Sequence, residues 1–250
     1  MVTCQTNFAL FCVYFNEVIN LLLILIFTLG ATLASCATCC AFRFCKNISA
    51  FVPRSFCDNC YHSLTWWQLL PILGWAIQKG KCHFCDRPIP ILSTALESLY
   101  GFIFIWLFFH SANLFSFTLI AGLLIWLLVL SLEDQRGMEV SSFCLYCGAL
   151  LFTLWASPQV WWTIKTSWLA LLLFFGVCLL FEYHGQLGPA DTICVLVIML
   201  VYGFHFGCWL LLLASTIFLA THLHDAPQTR HAFLPSLSSS FIILVFFQIY

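Results

Sequence analysis

Long apolar stretches separated by short polar ones dominate the sequence. A helix needs about 20 mainly apolar residues to cross a bilayer, so the pattern predicts an all-α, polytopic integral membrane protein with about eight transmembrane helices. The predicted spans are, in order, residues 18–42, 91–110, 117–132, 140–156, 167–181, a short sixth that ends near 202, 206–219 and 234–250. The polar residues therefore fall mainly in the connections between helices.

The longest connection follows the first span and divides the chain into three predicted parts. Residues 1–45 carry the N-terminal transmembrane helix, residues 46–90 form a loop, and residues 91–250 form a core of seven helices. The first apolar run has no small-residue cleavage site before the next polar segment. It is therefore expected to be a retained span and not a signal peptide.

Two cysteine pairs lie on this loop in the pattern C-x2-C-x21-C-x2-C, formed by Cys57, Cys60, Cys82 and Cys85. Each pair presents two sulfurs to one point, and two pairs supply the four tetrahedral ligands that Zn²⁺ prefers. Two disulfides or plain buried thiols are the alternatives, because the same spacing can be oxidised outside the cell. A zinc ion held by four cysteines has no open coordination position, so its expected role is structural.

The composition supports a membrane protein and limits its partners. Of the 250 residues, 62% are hydrophobic and 8% are charged, whereas about a quarter are charged in soluble domains. Nine basic residues and a net charge of -1 supply no dense basic face, so no nucleic-acid partner is expected. Six of these basic residues lie on or beside the cysteine loop, which the positive-inside rule places in the cytoplasm. They are Arg43, Lys46, Arg54, Lys79, Lys81 and Arg87.

Residues 64–76 of the loop, LTWWQLLPILGWA, are apolar and aromatic but too few to span a bilayer. Trp rings favour the headgroup layer, so one hypothesis has this segment in contact with membrane lipid. The alternative is a small core packed around the zinc ion. The sequence favours neither.

Two aspartates, Asp134 and Asp191, are the leading candidates for chemistry. Each lies where a predicted span meets the cytoplasmic face, and two spans separate them, out and back, so they can face each other. Two carboxylates in a poorly hydrated site cannot both ionise cheaply, so one keeps a proton at neutral pH. The ionised group can then activate a water while the protonated group polarises a peptide carbonyl, as in aspartyl proteases.

The surroundings of these aspartates leave a structural alternative open. Gly185 and Gly188 interrupt regular helix before Asp191 and leave backbone accessible to a substrate strand. Asp134 can equally be a solvated helix-end residue, and Asp191 the N-cap of the sixth span. Glu133 and Glu139, on either side of Asp134, are expected to be solvated.

Several short features follow one another along most of the chain. They are Ser35 with Arg43 eight residues later, the cysteine loop, Arg87-Pro88-Ile89, Leu96-Glu97, Leu132-Glu133-Asp134, the stretch from Gly185 to Asp191, and Phe233-Leu234-Pro235. In this order they resemble the type IV prepilin peptidases, which are membrane aspartyl proteases of the leader peptidase/N-methyltransferase family. The order, more than any single match, carries the resemblance.

This resemblance implies a specific activity. Members cut a basic leader from type IV prepilin or pseudopilin precursors after a glycine, on the cytoplasmic side of the bacterial cell (inner) membrane. Many then N-methylate the new N-terminus using S-adenosylmethionine, which the resemblance therefore implies as a second cofactor besides structural zinc. By the same resemblance, Asp134 and Asp191 would be the catalytic pair, Gly185 and Gly188 substrate-site backbone, and the four loop cysteines the zinc ligands.

The chain also departs from the family pattern. Before the second aspartate, Pro189-Ala190 stands where the family has a glycine-containing pair, and Ile193 stands where it has a basic residue. Thr38 replaces an asparagine of the family pattern. The proline that usually follows the first aspartate is absent, and Val140-Ser141 lies in that region. A divergent, competence-type member would carry such changes. A non-catalytic, zinc-stabilised assembly or transport component of the membrane is the alternative function.

Overall fold

The computed structural model forms two compact units, residues 1–36 with 52–111 and residues 37–51 with 112–250. It describes residues 2–46, 48, 54–57, 59–184, 187–223 and 231–248, with side chains from residue 16 to residue 247. These residues form helices and contain no β-strand, only two isolated bridges. The prediction of an all-α protein is confirmed for this part of the chain.

The first unit combines most of the N-terminal helix, the cysteine loop and one further helix. Helix α1 covers Val2–Cys45 and continues into the second unit, and the loop carries a 3-10 turn, Trp66–Leu69, and the short helix α2, Leu73–Ile77. Helix α3, Ile91–His110, has the bounds that the sequence predicts. Helices α1 and α3 approach closely at Gly30, where a Cβ atom would lie 2.6 Å from the Tyr100 carbonyl oxygen.

The second unit is a bundle of six helices together with the last turns of α1. The helices are α4 Leu114–Gly137, α5 Ser142–Trp155, α6 Ser157–Tyr183, α7 Pro189–Tyr202, α8 Phe204–His222 and α9 Leu234–Gln248. Helices α4 and α9 pack together, and α7 lies against α5, α6 and α8. The sharp turn between α7 and α8 consists of Gly203 alone, whose φ of +95° is one that L-residues rarely adopt.

Five of the helices are long and apolar enough to cross a membrane: Asn16–Cys45 within α1, α3, α4, α6 and α8. The apolar helices α5, α7 and α9 are shorter, with 14, 14 and 15 residues. At 1.5 Å per residue, 14 residues extend about 21 Å, which is less than a hydrocarbon core of about 30 Å. The structure thus supports a multi-pass membrane protein, and the number of eight spans stays a prediction.

Three helices extend well beyond the sequence prediction, and the first of them, α1, begins at Val2 and not near residue 18. Helix α4 continues to Gly137, so Asp134 lies within its last turn and not in a polar turn after it. Helix α6 begins ten residues before the predicted start at Ser167. That residue has non-helical angles, φ -130° and ψ 21°, so it divides α6 into two segments. The second segment begins where the sequence predicts the span.

Candidate functional site

The two cysteine pairs adopt the same backbone turn. In the first, the Cys57 N–H donates to the His62 carbonyl and the Tyr61 N–H to the Cys57 carbonyl, over 3.0 and 2.9 Å. In the second, Cys82 donates to Arg87 over 2.9 Å and Asp86 to Cys82 over 3.0 Å. Tyr61 and Asp86, each four residues after the first cysteine, both have positive φ, 55° and 52°. An isolated bridge closes each turn, Phe56 with Ser63 and Lys81 with Pro88.

These turns bring the four sulfur atoms to one point. All four lie within 4.8 Å of one another, with Cys57 3.9 Å from Cys85 and Cys60 4.0 Å from Cys82. Tetrahedral Zn²⁺ at a Zn–S distance of about 2.3 Å separates its sulfurs by about 3.8 Å. The four cysteines are free thiols in the structure and could hold a metal ion. Among the described residues they are the one group of three or more possible ligands.

The thiols of this cluster differ in acidity. The Arg87 backbone N–H lowers the pKa of Cys85 to about 7, against partial burial, which raises it. For Cys60, the His62 backbone N–H lowers the pKa, but partial burial and the thiols of Cys57, Cys85 and Cys82 raise it to about 11. Metal binding needs thiolates, so of these two cysteines Cys85 reaches its metal-binding form at the lower pH.

A buried carboxylate connects the cysteine loop to α3. Glu97, on the seventh residue of α3, is 6% exposed, and its Oε2 accepts a 2.8 Å hydrogen bond from the Ile72 N–H. Ile72 immediately precedes α2 and has a φ of 62°, which is costly for a β-branched residue. The carboxylate therefore holds a strained turn of the loop beside the second turn of α3.

Replacing Glu97 with alanine should destabilise this loop. The Ile72 N–H would lose its charged acceptor, at a cost of about 1–3 kcal/mol. We expect a lower thermal unfolding midpoint for Glu97→Ala in detergent, partial recovery in Glu97→Gln, and no change in Glu139→Ala, since Glu139 is exposed. An unchanged midpoint in Glu97→Ala would show that the bond contributes nothing to stability.

In the second unit, Asp134 occupies the last turn of α4 and is half-buried. Its Oδ2 accepts a 3.2 Å hydrogen bond from the Leu234 N–H at the start of α9, 100 residues further along the chain. The Phe233 N–H is a second backbone partner. Asp134 is thus fixed against a distant segment and is more than a solvated end of its own helix.

Asp191 lies in the first turn of α7 and is also half-buried. Gly188 is the N-cap residue, and its N–H donates to Asp191 Oδ2 over 3.3 Å, so Asp191 caps the helix from its third position. A Cβ atom on Gly188 would lie 3.1 Å from the same oxygen. Gly188 therefore lets the backbone approach this carboxylate, whereas Gly185 lies outside the described residues.

The two aspartates are electrostatic neighbours. The charge of Asp134 acts on Asp191, and the charges of both act on the buried Cys194, one turn further along α7. The charge of Asp134 on α4 thus reaches Asp191 on α7, although the two acids are 57 residues apart in the sequence. A paired-carboxylate site requires two such acids close together, and the assignment of Asp134 and Asp191 as that pair stays a prediction.

Glu133 is the residue of this region whose exposure the sequence analysis predicts wrongly. It is 1% exposed, so the expectation that it is solvated is wrong, while Glu139 is exposed as expected. Its Oε2 accepts a 2.7 Å hydrogen bond from the Ser141 N–H at the start of α5, and among the described residues its buried Oε1 has no partner. The bond ties the last turn of α4 to α5 directly beside Asp134. No local sequence signal distinguishes this glutamate from a solvated one.

Comparison with known proteins finds similarity to one group of membrane enzymes. The family described as Bacterial Peptidase A24 N-terminal domain matches residues 28–111, which include the cysteine loop and α3. A prepilin leader peptidase/N-methyltransferase of Legionella pneumophila is 34% identical over 156 residues, 58% of this chain and 53% of that protein. The resemblance to the type IV prepilin peptidases is confirmed by these similarities.

One further relative extends the similarity over more of the chain. A prepilin leader peptidase/N-methyltransferase of Vibrio cholerae is 24% identical over 204 residues, 77% of this chain and 81% of that protein. One from Bacillus subtilis is 36% identical over 76 residues, 30% of this chain and 31% of that protein. The chain thus matches about half the length of the Legionella prepilin peptidase and less of the Bacillus one. No solved structure matches it significantly.

Proposed function

We propose that the chain is a membrane aspartyl endopeptidase that cleaves the basic leader from type IV prepilin or pseudopilin precursors. The observation that carries this proposal is that Asp134 on α4 lies near enough for its charge to act on Asp191 on α7. Relatives named prepilin leader peptidase/N-methyltransferase supply the substrate class. The sequence features that resemble this family include both acids. Their order along the chain therefore links the two acids to that substrate class.

In the proposed reaction, the two carboxylates share one proton. Like charges in a poorly hydrated site disfavour double ionisation, so one group is ionised and the other protonated. The ionised carboxylate takes a proton from water as that water attacks the scissile carbonyl. The protonated carboxylate donates a hydrogen bond to the carbonyl oxygen, where negative charge develops. The Leu234 and Gly188 N–H groups hold the two carboxylates in place.

The leader itself would be recognised by charge and by the membrane. A basic leader is attracted to the acidic residues of this region, which besides the pair include Glu182 at the end of α6. We place the active site and the cysteine loop on the cytoplasmic face of the bacterial inner membrane, because the basic residues concentrate on that loop. The Gly188 backbone, with Gly185 before it, would lie along the substrate strand.

The test of this function is leader removal. The chain is coexpressed with a prepilin precursor, and the mature pilin is followed by mass spectrometry, with cells that lack the chain as the control. Accumulation of mature pilin only when the chain is present supports a peptidase. Equal processing in both cells would favour the alternative of a non-catalytic assembly or transport component.

N-methylation is the second activity that we propose, because the relatives bear the name N-methyltransferase. S-adenosylmethionine would supply the methyl group. The same mass spectra report it, since the mature pilin would be heavier by one methyl group on its N-terminal residue. Its absence from pilin that has lost its leader would limit the chain to proteolysis.

The metal that we propose for the cysteine cluster is zinc in a structural role. Four sulfur ligands on two identical turns complete its coordination and leave no position for substrate or water. Residues 46–90 would then be a zinc-stabilised cytoplasmic loop, and residues 91–250 would provide the peptidase core after the N-terminal span of residues 1–45.

Lipid is the partner that we propose for the apolar part of the loop. Trp66, Leu73 and Ile77 are 77%, 58% and 59% exposed, whereas the polar Gln68 is 8% exposed and bonds to Gln78. In a small soluble core the apolar side chains would be buried and the polar side chain exposed, which is the reverse of this distribution. The Ile72 N–H of this segment donates a hydrogen bond to Glu97. Glu97 lies six residues after Ile91, the first residue of α3, which corresponds to about 9 Å along the helix axis. The headgroup layer therefore accounts for it better than a core around zinc.

Quenching of tryptophan fluorescence by brominated lipid tests this contact. We expect Trp66→Phe to remove part of the quenching seen in lipid nanodiscs, because the exposed indole would lie among the lipids. Trp75→Phe is the matched control, since its indole faces the loop and donates to the Ile89 carbonyl over 3.5 Å. If Trp66 fluorescence responds only to a water-soluble quencher, the segment does not contact lipid.

A further inference from the structure

The half of the cysteine loop that leads into α3, residues 73–90, carries an excess of positive charge. Lys79, Lys81 and Arg87 are all exposed, and Asp86 is the one acidic residue of this stretch. None of the three cations belongs to the proposed peptidase site or is a ligand of the cysteine cluster. Their side chains are therefore open to a partner that carries negative charge.

Helix α2 and the second cysteine turn pack together as one body. The chain reverses after α2 at Lys79 and Gly80, whose φ angles are +53° and +71°. The Gly80 N–H donates to the Trp75 carbonyl over 3.0 Å, and a Cβ atom on Gly80 would lie 2.9 Å from the Trp75 ring. The Trp75 indole in turn donates to the Ile89 carbonyl over 3.5 Å. The basic turn is therefore held against α2, whose apolar side chains are exposed.

The same turn lies close to the point at which α3 begins. Lys81 and Pro88 form the isolated bridge that closes the turn, and Pro88 precedes Ile91, the first residue of α3, by three residues. Three extended residues span at most about 11 Å, which is comparable to the Debye length of about 8 Å at physiological ionic strength. Helix α3 is long and apolar enough to cross a membrane, and Ile91 is 68% exposed. The charge of this turn therefore reaches the headgroup layer in which α3 would enter the bilayer.

We propose that residues 73–90 form a surface that recognises anionic phospholipid in the cytoplasmic leaflet. Leu73 and Ile77, on α2, would enter the boundary between headgroups and acyl chains, while Lys79, Lys81 and Arg87 attract the net negative charge of the headgroups. Each such cation near the surface contributes a factor of about five to the affinity for anionic lipid. The inference rests on the proposed contact between the loop and lipid, and it adds the class of lipid.

Offsetting the charge of the cysteine cluster is the alternative role for these cations. A divalent ion held by four thiolates carries two net negative charges. Lys81 is next to Cys82, and Arg87 is two residues after Cys85. Zinc content measured on the same variants separates this role from the recognition of lipid.

Quenching of tryptophan fluorescence by brominated lipid in nanodiscs tests the preference. Trp66 reports on this surface, because its 3-10 turn packs against α2. Its contribution is the difference between protein with and without Trp66→Phe. Brominated phosphatidylglycerol is added to phosphatidylcholine in increasing proportion, and a second series adds brominated phosphatidylcholine to phosphatidylglycerol.

We expect half of the Trp66 quenching at a low proportion of phosphatidylglycerol, because this lipid would be enriched at the loop. The double variant Lys79→Gln/Lys81→Gln should raise that proportion about fivefold or more, and high salt should raise it in the unaltered protein. Lys165→Gln is the matched control, since it removes an exposed cation of α6 in the other unit. It should leave the proportion unchanged.

Three results would overturn the proposal. Equal quenching by the two lipids at equal proportions would remove the preference for anionic lipid and leave the lipid contact intact. No quenching by either lipid would contradict the contact itself. A double variant that loses zinc and keeps the preference would assign the cations to the cysteine cluster. Because no precursor is present, none of these results depends on whether the chain removes leaders.

Discussion

Replacing Asp134 or Asp191 with asparagine should lower the rate of leader removal by about a hundred- to ten-thousandfold. Asparagine keeps the size and the acceptor oxygen of each side chain, so the bonds from Leu234 and Gly188 can persist. It cannot take up a proton from water or share one with the other carboxylate. The expected loss is therefore in the chemical step and not in folding or in substrate binding.

The measurement is the single-turnover rate with purified protein and a prepilin precursor. Glu139→Gln is the matched control, because it neutralises an exposed acid five residues from Asp134. Circular dichroism and thermal unfolding of each variant would confirm that the fold is retained. Leader removal by either aspartate variant at the rate of the unaltered protein would eliminate the proposed site. Slow cleavage by Glu139→Gln would show that the loss of any negative charge in this region slows the reaction, and not specifically the loss of either aspartate.

Loss of zinc is the second large effect that we expect. The purified chain should contain about one zinc ion, and Cys57→Ser or Cys82→Ser should lower this content and destabilise the loop. Structural zinc contributes about 10–16 kcal/mol of apparent binding free energy in small zinc-binding peptides. Each of these substitutions removes one ligand from a different cysteine turn, so both should reduce the metal content to a similar degree.

Cys208→Ser provides the control for this prediction, because Cys208 is exposed on α8 and belongs to the other unit. Its zinc content and unfolding midpoint should equal those of the unaltered protein. Metal analysis together with thermal unfolding would check both statements. Protein that is free of zinc and carries two intact loop disulfides would contradict the metal site and the cytoplasmic placement of the loop.

The sequence predicts the parts of this fold that depend on local pattern. Helix α3 has the predicted bounds because Pro90 precedes one mainly apolar run, which ends at His110. The four loop cysteines come together as their spacing indicates, because each turn is closed by its own backbone bonds. The kink at Ser167 likewise lies where the apolar run of α6 begins.

Features that depend on distant contacts could not be predicted in the same way. Glu133 is buried because the start of α5 folds back to donate the Ser141 N–H, and the bond to Asp134 comes from Leu234 in α9. Neither contact leaves a periodic signal in the sequence. The two aspartates could be selected as candidates from their positions at helix ends, but that the charge of Asp134 reaches Asp191 depends on how the bundle packs.

The most direct test of the central proposal compares the two asparagine variants with the protein that carries both substitutions. Groups that act as one catalytic unit are strongly non-additive, because removal of either already abolishes the shared step. We therefore predict that Asp134→Asn, Asp191→Asn and the double variant cleave the precursor at the same residual rate. A double variant slower by the product of the two single effects would show that the acids act independently, which would contradict a shared site.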